Sequence, residues 1–308
     1  MSDRMTYAYA VAYDTEGLRE STATLQGVAD APVRFVAAAR DDRLLLAVSS
    51  VPAQDFREDA LKRHLEDLDW LEAVARAHHG VIEALAARTT VLPLRLATVY
   101  LDDSRARDVL ETGRSMFAER LSRLADQVEW GVKIYVEPSA VPPAPAAPAA
   151  GLPPGRAYLR TRRQQQSVRD TVYQAAQQAA ERVETAGRAY AVDRVRHRVQ
   201  QGVLADAGGA GGAGENVVND AYLVPLEHSE AFLADVNHAA DGLPGVRVEA
   251  TGPWAPYSFA MPLAGPKDVT DTADAPDATD TADAADATDS TDSTDSTDST
   301  DSTESVPP

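Results

Sequence analysis

Residues 128–136 read VEWGVKIYV, and this stretch decides how the chain is organised. Every second position is apolar: Val128, Trp130, Val132, Ile134 and Val136. Strict alternation places these side chains on one face of an extended strand. The stretch therefore predicts a β-strand with one face against a core. A proline-rich segment follows at once, so this strand is predicted to be the last element of a first domain.

The sequence before this strand mixes strand and helix patterns. In the first strand, Tyr7, Tyr9, Val11 and Tyr13 are predicted to share one face, with alanines on the other. Further strands are predicted at residues 33–38, 44–51 and 91–100, and helices at residues 58–87 and from about 103 to 125. Asp103 or Ser104 is the predicted N-cap of the second helix. The order βββαβαβ predicts an α+β fold.

The helix predicted at residues 58–87 has an apolar stripe whose members step by three or four residues. One histidine belongs to the stripe, which consists of Leu61, Leu65, Leu68, Leu71, Ala75, His78, Ile82 and Leu85. This spacing predicts that His78 faces the core.

Residues 138–155 contain seven prolines and are predicted to form an extended linker between domains 1–137 and 156–263. The second domain is predicted to open with a long basic helix over about residues 157–201. Gly187 and the glycine run 208–214 are expected to break it. A strand at 221–226, a helix at 230–240, a strand at 246–250 and the aromatic segment 251–259 follow.

Residues 264–308 are predicted to be a disordered acidic tail, because the Asp-Ser-Thr repeat has no apolar side chains with which to build a core. Thirteen acidic residues lie between Asp268 and Glu304, with no basic residue after Lys267. The chain's net charge of −19 therefore falls to −6 for residues 1–267. This balance does not favour a nucleic-acid partner.

The chain has 308 residues and no cysteine, which excludes disulfides and thiolate metal sites. Neither a secretory signal nor an apolar run of membrane-spanning length is recognisable, so a cytoplasmic protein without a membrane partner is expected.

The best candidates for a reactive site are His78 and His79 with Glu72 and Glu83 on one helix. A metal-dependent hydrolase or metal sensor is the alternative that these residues leave open. The pattern favours structural roles, with His78 in the core and His79 solvated. No phosphate-binding glycine loop or nucleophile elbow is present. We therefore predict no catalytic residue, no metal ligand, no cofactor and no enzyme activity.

Two further features have structural and functional interpretations. Trp130 and Trp254 are typical of core positions, although either could anchor a partner. Residues 156–202 hold ten arginines against four acidic residues, which is typical of a solvated helix face and would also suit an acidic partner.

Besides the tyrosine-rich first strand, five blocks in the same order resemble the gas vesicle F/L family. They are residues 78–100 (HHGVIEALAARTTVLPLRLATVY), 129–135 (EWGVKIY), 155–163 (GRAYLRTRR), 219–226 (NDAYLVPL) and 252–259 (GPWAPYSF). The resemblance spans about residues 5–262. The proline-rich segment, the glycine run and the acidic tail are additions to the family pattern.

This resemblance implies two α+β domains, the second of them ferredoxin-like. It also implies an accessory role early in gas vesicle assembly, through contact with the small hydrophobic shell protein and other accessory proteins. No catalytic residues belong to the family pattern. Whether the protein stays in the vesicle as a minor component is left open.

Overall fold

The computed structural model describes residues 3–41, 43–64, 66–141, 154–199 and 214–260. All of these residues belong to one compact unit. Most of the predicted linker, all but the last residue of the glycine run and the predicted acidic tail lie outside the described residues.

The strands of the described residues are β1 (Arg4–Tyr13), β2 (Arg34–Ala37), β3 (Leu44–Pro52), β4 (Val91–Pro93), β5 (Val99–Tyr100), β6 (Gln127–Val136), β7 (Asp193–Arg196), β8 (Glu215–Pro225) and β9 (Val246–Trp254). The α-helices are α1 (Leu18–Ser21), α2 (Ala53–Phe56), α3 (Glu58–His64), α4 (Leu68–Ala86), α5 (Asp103–Thr112), α6 (Arg114–Leu124), α7 (Pro154–Tyr190), α8 (Ser229–Asn237) and α9 (Tyr257–Ala260).

The first sheet is antiparallel, with the order β2-β3-β1-β4 and with β5 also paired to β1. Its central strand β1 carries an irregularity: Ala8 pairs with Val48 and Ala10 with Ala47, which leaves Tyr9 as an extra residue. A bulge of this kind exchanges the two faces of a strand. The prediction that Tyr7, Tyr9, Val11 and Tyr13 share one face is therefore wrong beyond Tyr9.

The second sheet is also antiparallel, with the order β7-β8-β6-β9. Its elements follow one another as β6-α7-β7-β8-α8-β9, and this order of elements and strands is that of a ferredoxin-like fold. The predicted α+β class with a ferredoxin-like second part is confirmed. The short strand β7 was not predicted from the sequence.

Strand β6 is confirmed as a strand, but it pairs with β8 and β9 instead of the first sheet. Alternation identifies a strand and its buried face, whereas the pairing partners lie about 80 and 110 residues further along the chain. The division at residues 138–155 stays a prediction, because no structural finding tests whether the two parts fold independently.

Three apolar cores separate the layers. In the first core, Tyr7 and Tyr9 of β1 pack against Val81, Ile82 and Leu85 of α4. We call this the α4-side core.

The central core lies on the opposite face of the first sheet. It joins Leu46 of β3 to Leu110 and Phe117 of α5 and α6, and it also includes Leu223 of β8 and Phe259 of α9. Helices α5 and α6 therefore pack between the two sheets.

The α7-side core lies on the outer face of the second sheet. Trp130 and Tyr222 of the sheet pack there against Val172 and Val183 of α7 and Phe232 of α8. The described chain is thus layered as helix, sheet, helix, sheet, helix.

Local interactions shift several predicted helix boundaries. The helix predicted at residues 58–87 is divided into α3 and α4, because Asp67 caps the amides of Asp69 and Trp70. The second predicted helix is divided into α5 and α6 at Gly113. Its N-cap is Asp102, one residue before the predicted cap.

Helix α7 runs unbroken through Gly187 and ends at Tyr190. The predicted break is wrong because this glycine has a packing role. A Cβ atom at position 187 would lie 2.5 Å from Cε1 of the Tyr222 ring. The absence of a side chain allows the helix to approach the sheet closely.

Candidate functional site

The two adjacent histidines of α4 lie in different surroundings. His78 is buried, with 4% of its surface exposed. Its Nδ1 atom lies 3.0 Å from the hydroxyl of Tyr7. His79 is half-buried at the edge of the same helix, where its Nδ1 atom lies 2.9 Å from the hydroxyl of Tyr257. Their one-residue offset along the helix accounts for this difference.

The hydrogen bonds of Tyr7 identify the tautomer of His78. The Tyr7 hydroxyl accepts from the amide of Ala97 at 3.0 Å, so its own proton is free to be donated to His78 Nδ1. Burial raises the pKa of Tyr7, which keeps that proton in place. The proton of the neutral His78 ring therefore resides on Nε2.

Burial also lowers the pKa of His78 to about 4, with the backbone of Leu94 offsetting part of the fall and His79 adding to it. His78 is consequently neutral near pH 7. Its Nε2 atom is buried and makes no hydrogen bond of normal geometry within the described part of the chain. A buried donor of this kind is uncommon in folded proteins and marks a place where an acceptor would bind favourably.

A cavity of about 300 Å³ lies beside the two histidines. Ala75, Pro93, Leu94 and Leu96 give it mostly apolar walls, while His78, His79 and Tyr257 contribute the ring surfaces. The exposed residue Arg95 also lines it, and no partner for the Arg95 guanidinium is found among the described residues.

An exposed apolar track on α4 leads to this cavity. Leu68 is 76% exposed, Leu71 is half-buried, and Ala75 follows on the same helical face. The sequence predicted this stripe as core throughout. The prediction holds for His78, Ile82 and Leu85, but Leu68 at the beginning of the helix projects into solvent.

The segment that carries Tyr257 is anchored to the second sheet. Glu129 of β6 accepts hydrogen bonds from the amide and the hydroxyl of Ser258, at 2.8 and 2.7 Å. Because that hydroxyl proton is donated to Glu129, the Ser258 oxygen accepts from His197 Nε2 at 3.0 Å. Burial raises the pKa of Glu129, an effect that the two Ser258 bonds oppose.

Sequence reasoning missed Glu129 and Ser258, which lie 129 residues apart. The available signal was a carboxylate beside Trp130 in an otherwise apolar strand. That signal marks Glu129 as unusual, but it does not identify a partner.

The structure does not bring the four proposed metal or acid–base residues together. Glu72 pairs with Arg76, Glu83 lies 3.1 Å from His79 Nε2, and His78 bonds to Tyr7. Within the described residues, no group of three or more histidine and acidic side chains is placed to hold a metal ion. The arrangement is that of structural contacts.

The other candidates divide between core and surface. Trp130 is buried, and its indole Nε1 donates to Ser229 at 2.6 Å, which confirms a core role. Trp254 is 38% exposed and lies near His79, with ring centroids 5.6 Å apart. The first turns of α7 are largely exposed and include Arg156, Arg162 and Arg163. The basic segment is thus a solvated helix face.

A family model described as gas vesicle synthesis protein GvpL/GvpF matches residues 5–261. This chain belongs to that family. Gas vesicle protein L of Streptomyces sp. (strain CB03234) is 44% identical over 261 residues, which cover 84% of this chain and 94% of the relative. The protein therefore has a gas vesicle-related role.

Two solved structures of the family share the fold. GvpF from Anabaena sp. PCC7120 has a TM-score of 0.54 at 18% identity, covering 84% of this chain and 96% of its own. GvpF from Microcystis aeruginosa has a TM-score of 0.53 at 17% identity, covering 83% and 99%. Among the described residues, no helix is both long and apolar enough to cross a membrane.

Proposed function

We propose that this protein is an accessory factor of gas vesicle assembly that binds the small hydrophobic shell subunit, and that it acts as a binding protein and not as an enzyme. The observation that carries the proposal is the match of residues 5–261 to the gas vesicle synthesis family. Its 44% identity to gas vesicle protein L of Streptomyces supports the same assignment.

Physical chemistry explains why a shell subunit needs such a partner. A protein shell that excludes liquid water must present an apolar inner face. Before assembly, that face is an exposed apolar patch, and exposed patches of this kind drive aggregation. A folded partner that covers the patch needs a binding surface but no reaction centre.

The described surface is compatible with this role. Leu68 and Leu71 form the apolar track on α4, and Trp254 is exposed nearby. Exposed leucine and tryptophan side chains next to a cavity are typical of a protein-binding face. The histidine and acidic residues nearest to this face are engaged in structural contacts.

Co-expression with the shell subunit, followed by affinity capture, tests the proposal. We expect a complex to be recovered, and we expect a deletion strain to make few or no vesicles. Normal vesicles in that strain, together with no complex, would contradict it. Fractionation of purified vesicles would show separately whether the protein is retained.

A further inference from the structure

The cavity beside His78 combines three properties that define a ligand. Its walls are largely apolar, its buried polar atom is a donor, and its exposed charged residue, Arg95, is cationic. The two nearest histidine–carboxylate and histidine–tyrosine contacts already engage Glu83 and Tyr257. A matching ligand therefore offers an apolar group together with an oxygen acceptor.

The direction of the His78 donor follows from its partners. Tyr7 occupies Nδ1, so Nε2–H is the donor that remains, and it has no hydrogen bond of normal geometry within the described residues. A buried donor without an acceptor costs stability in the unbound protein. An incoming carbonyl oxygen would satisfy it, whereas an apolar group alone would not.

The size and surroundings of the cavity favour a peptide. A volume of about 300 Å³ lies at the small end of ligand sites and holds one side chain with its adjoining backbone. The track of Leu68, Leu71 and Ala75 extends from the cavity along α4. A segment that lies along this track can insert one side chain while its flanking apolar residues cover the exposed leucines.

We infer that this cavity and the α4 track bind an extended or helical segment of the hydrophobic shell subunit, with an aliphatic side chain inside the cavity and a neighbouring carbonyl oxygen accepting from His78 Nε2–H. This inference rests on the proposed function and adds the surface and the chemistry of recognition. Arg95 favours a segment whose acceptor is a carboxylate or lies beside one.

A matched pair of substitutions tests the site. Ala75→Leu fills the cavity from a half-buried position on α4, while Ala73→Leu adds the same side chain to an exposed position on the same helix. Neither substitution removes a polar contact. Thermal unfolding of both full-length variants verifies that they remain folded.

The first measurement uses a small probe, N-acetyl-leucine methylamide, which carries an aliphatic side chain and two carbonyl groups. In ¹⁵N spectra of the histidine rings, we expect it to shift the Nε2 resonance of His78 in the wild type and in Ala73→Leu but not in Ala75→Leu. No shift in the wild type would overturn the cavity as a peptide site.

The second measurement is binding of the shell subunit itself. We expect Ala75→Leu to weaken the complex at least about tenfold, with Ala73→Leu unchanged. Unweakened binding by Ala75→Leu would overturn this surface while leaving the proposed function intact. If the wild-type protein binds no shell subunit, the proposed function fails, and with it the occupant named here; the probe still shows whether the cavity is a peptide site.

Discussion

Each sheet is covered on its outer face by one long helix, and the two helices meet their sheets in different ways. Helix α4 inserts large side chains, including His78 and Ile82, between the aromatic rings of the first sheet. Helix α7 instead presents alanines and Gly187 to large rings such as Tyr222. The same layer arrangement is thus built either by matching large groups or by pairing small with large.

This difference shows why helix and sheet sequences have to be considered together. A narrow alanine stripe suggests a weakly packed helix when α7 is considered alone. Opposite Trp130, Tyr222 and Phe232, the same stripe allows close approach and full burial of the rings. Four predictions break or sharpen the comparison, in order of decreasing effect.

The largest effect is expected where α4 contributes bulk. Ile82 is fully buried in the α4-side core, and Ile82→Ala should lower the free energy of unfolding by about 2–5 kcal/mol through lost contacts and a new cavity. Denaturant unfolding measures it. The matched change in α7, Val183→Ala, removes less volume and should cost less; an equal or larger loss there would contradict the proposed difference between the layers.

The second effect depends on pH and belongs to His78. Its pKa is about 4 in the folded protein and 6.5 in the ordinary state, so the unfolded chain binds the proton more tightly. This contribution to stability is fully present above pH 6.5 and is lost as the pH falls towards 4, with a total of about 3 kcal/mol.

Unfolding free energies of the wild type and His78→Asn, measured from pH 7 to pH 4, isolate the His78 contribution. The difference between the two proteins should change by most of this amount over that range. Glu129, whose pKa is raised, changes in the opposite direction but is present in both proteins. A constant difference between them would show that His78 is not the titrating group.

The third effect tests the close approach of α7. Gly187→Ala places a methyl group against the Tyr222 ring and should destabilise by about 1–3 kcal/mol. Gly80→Ala is the matched change in α4, where nothing lies within 4 Å of the added Cβ atom. It should stabilise by about 0.5–1 kcal/mol, as expected for an exposed helix position. Thermal unfolding distinguishes the two signs, and a stabilising Gly187→Ala would refute the packing role.

The smallest effect is expected at the exposed edge of α4. Tyr257→Phe removes the hydroxyl that bonds His79 and should cost about 0.5–1.5 kcal/mol, since His79 is partly solvated. Tyr7→Phe removes a hydroxyl with two buried partners and serves as the comparison. If Tyr257→Phe were the more damaging of the two, His79 would contribute more to stability than its exposure indicates.

Patterns within single elements were predictable from the sequence. Alternation identified β6, and the three-to-four spacing placed His78 in the core and His79 near the surface. These features depend on neighbours within one strand or helix. The α+β class follows from the same local patterns.

Features that depend on distant partners were not predictable in this way. The bulge at Tyr9 changes which residues of β1 share a face, and its position depends on pairing with β3. The role of Gly187 depends on Tyr222, and the Glu129–Ser258 contact joins residues 129 positions apart. None of these partners can be identified from one stretch of sequence.

The position of β6 has a consequence for synthesis on the ribosome. This strand emerges with the first half of the chain, yet its partners β8 and β9 begin only at Glu215 and Val246. At ordinary translation rates, β6 waits on the order of ten seconds with both backbone edges unpaired. A nascent chain with a strand of this kind is vulnerable to pairing with other chains, so slower or interrupted translation between residues 137 and 246 should increase misassembly.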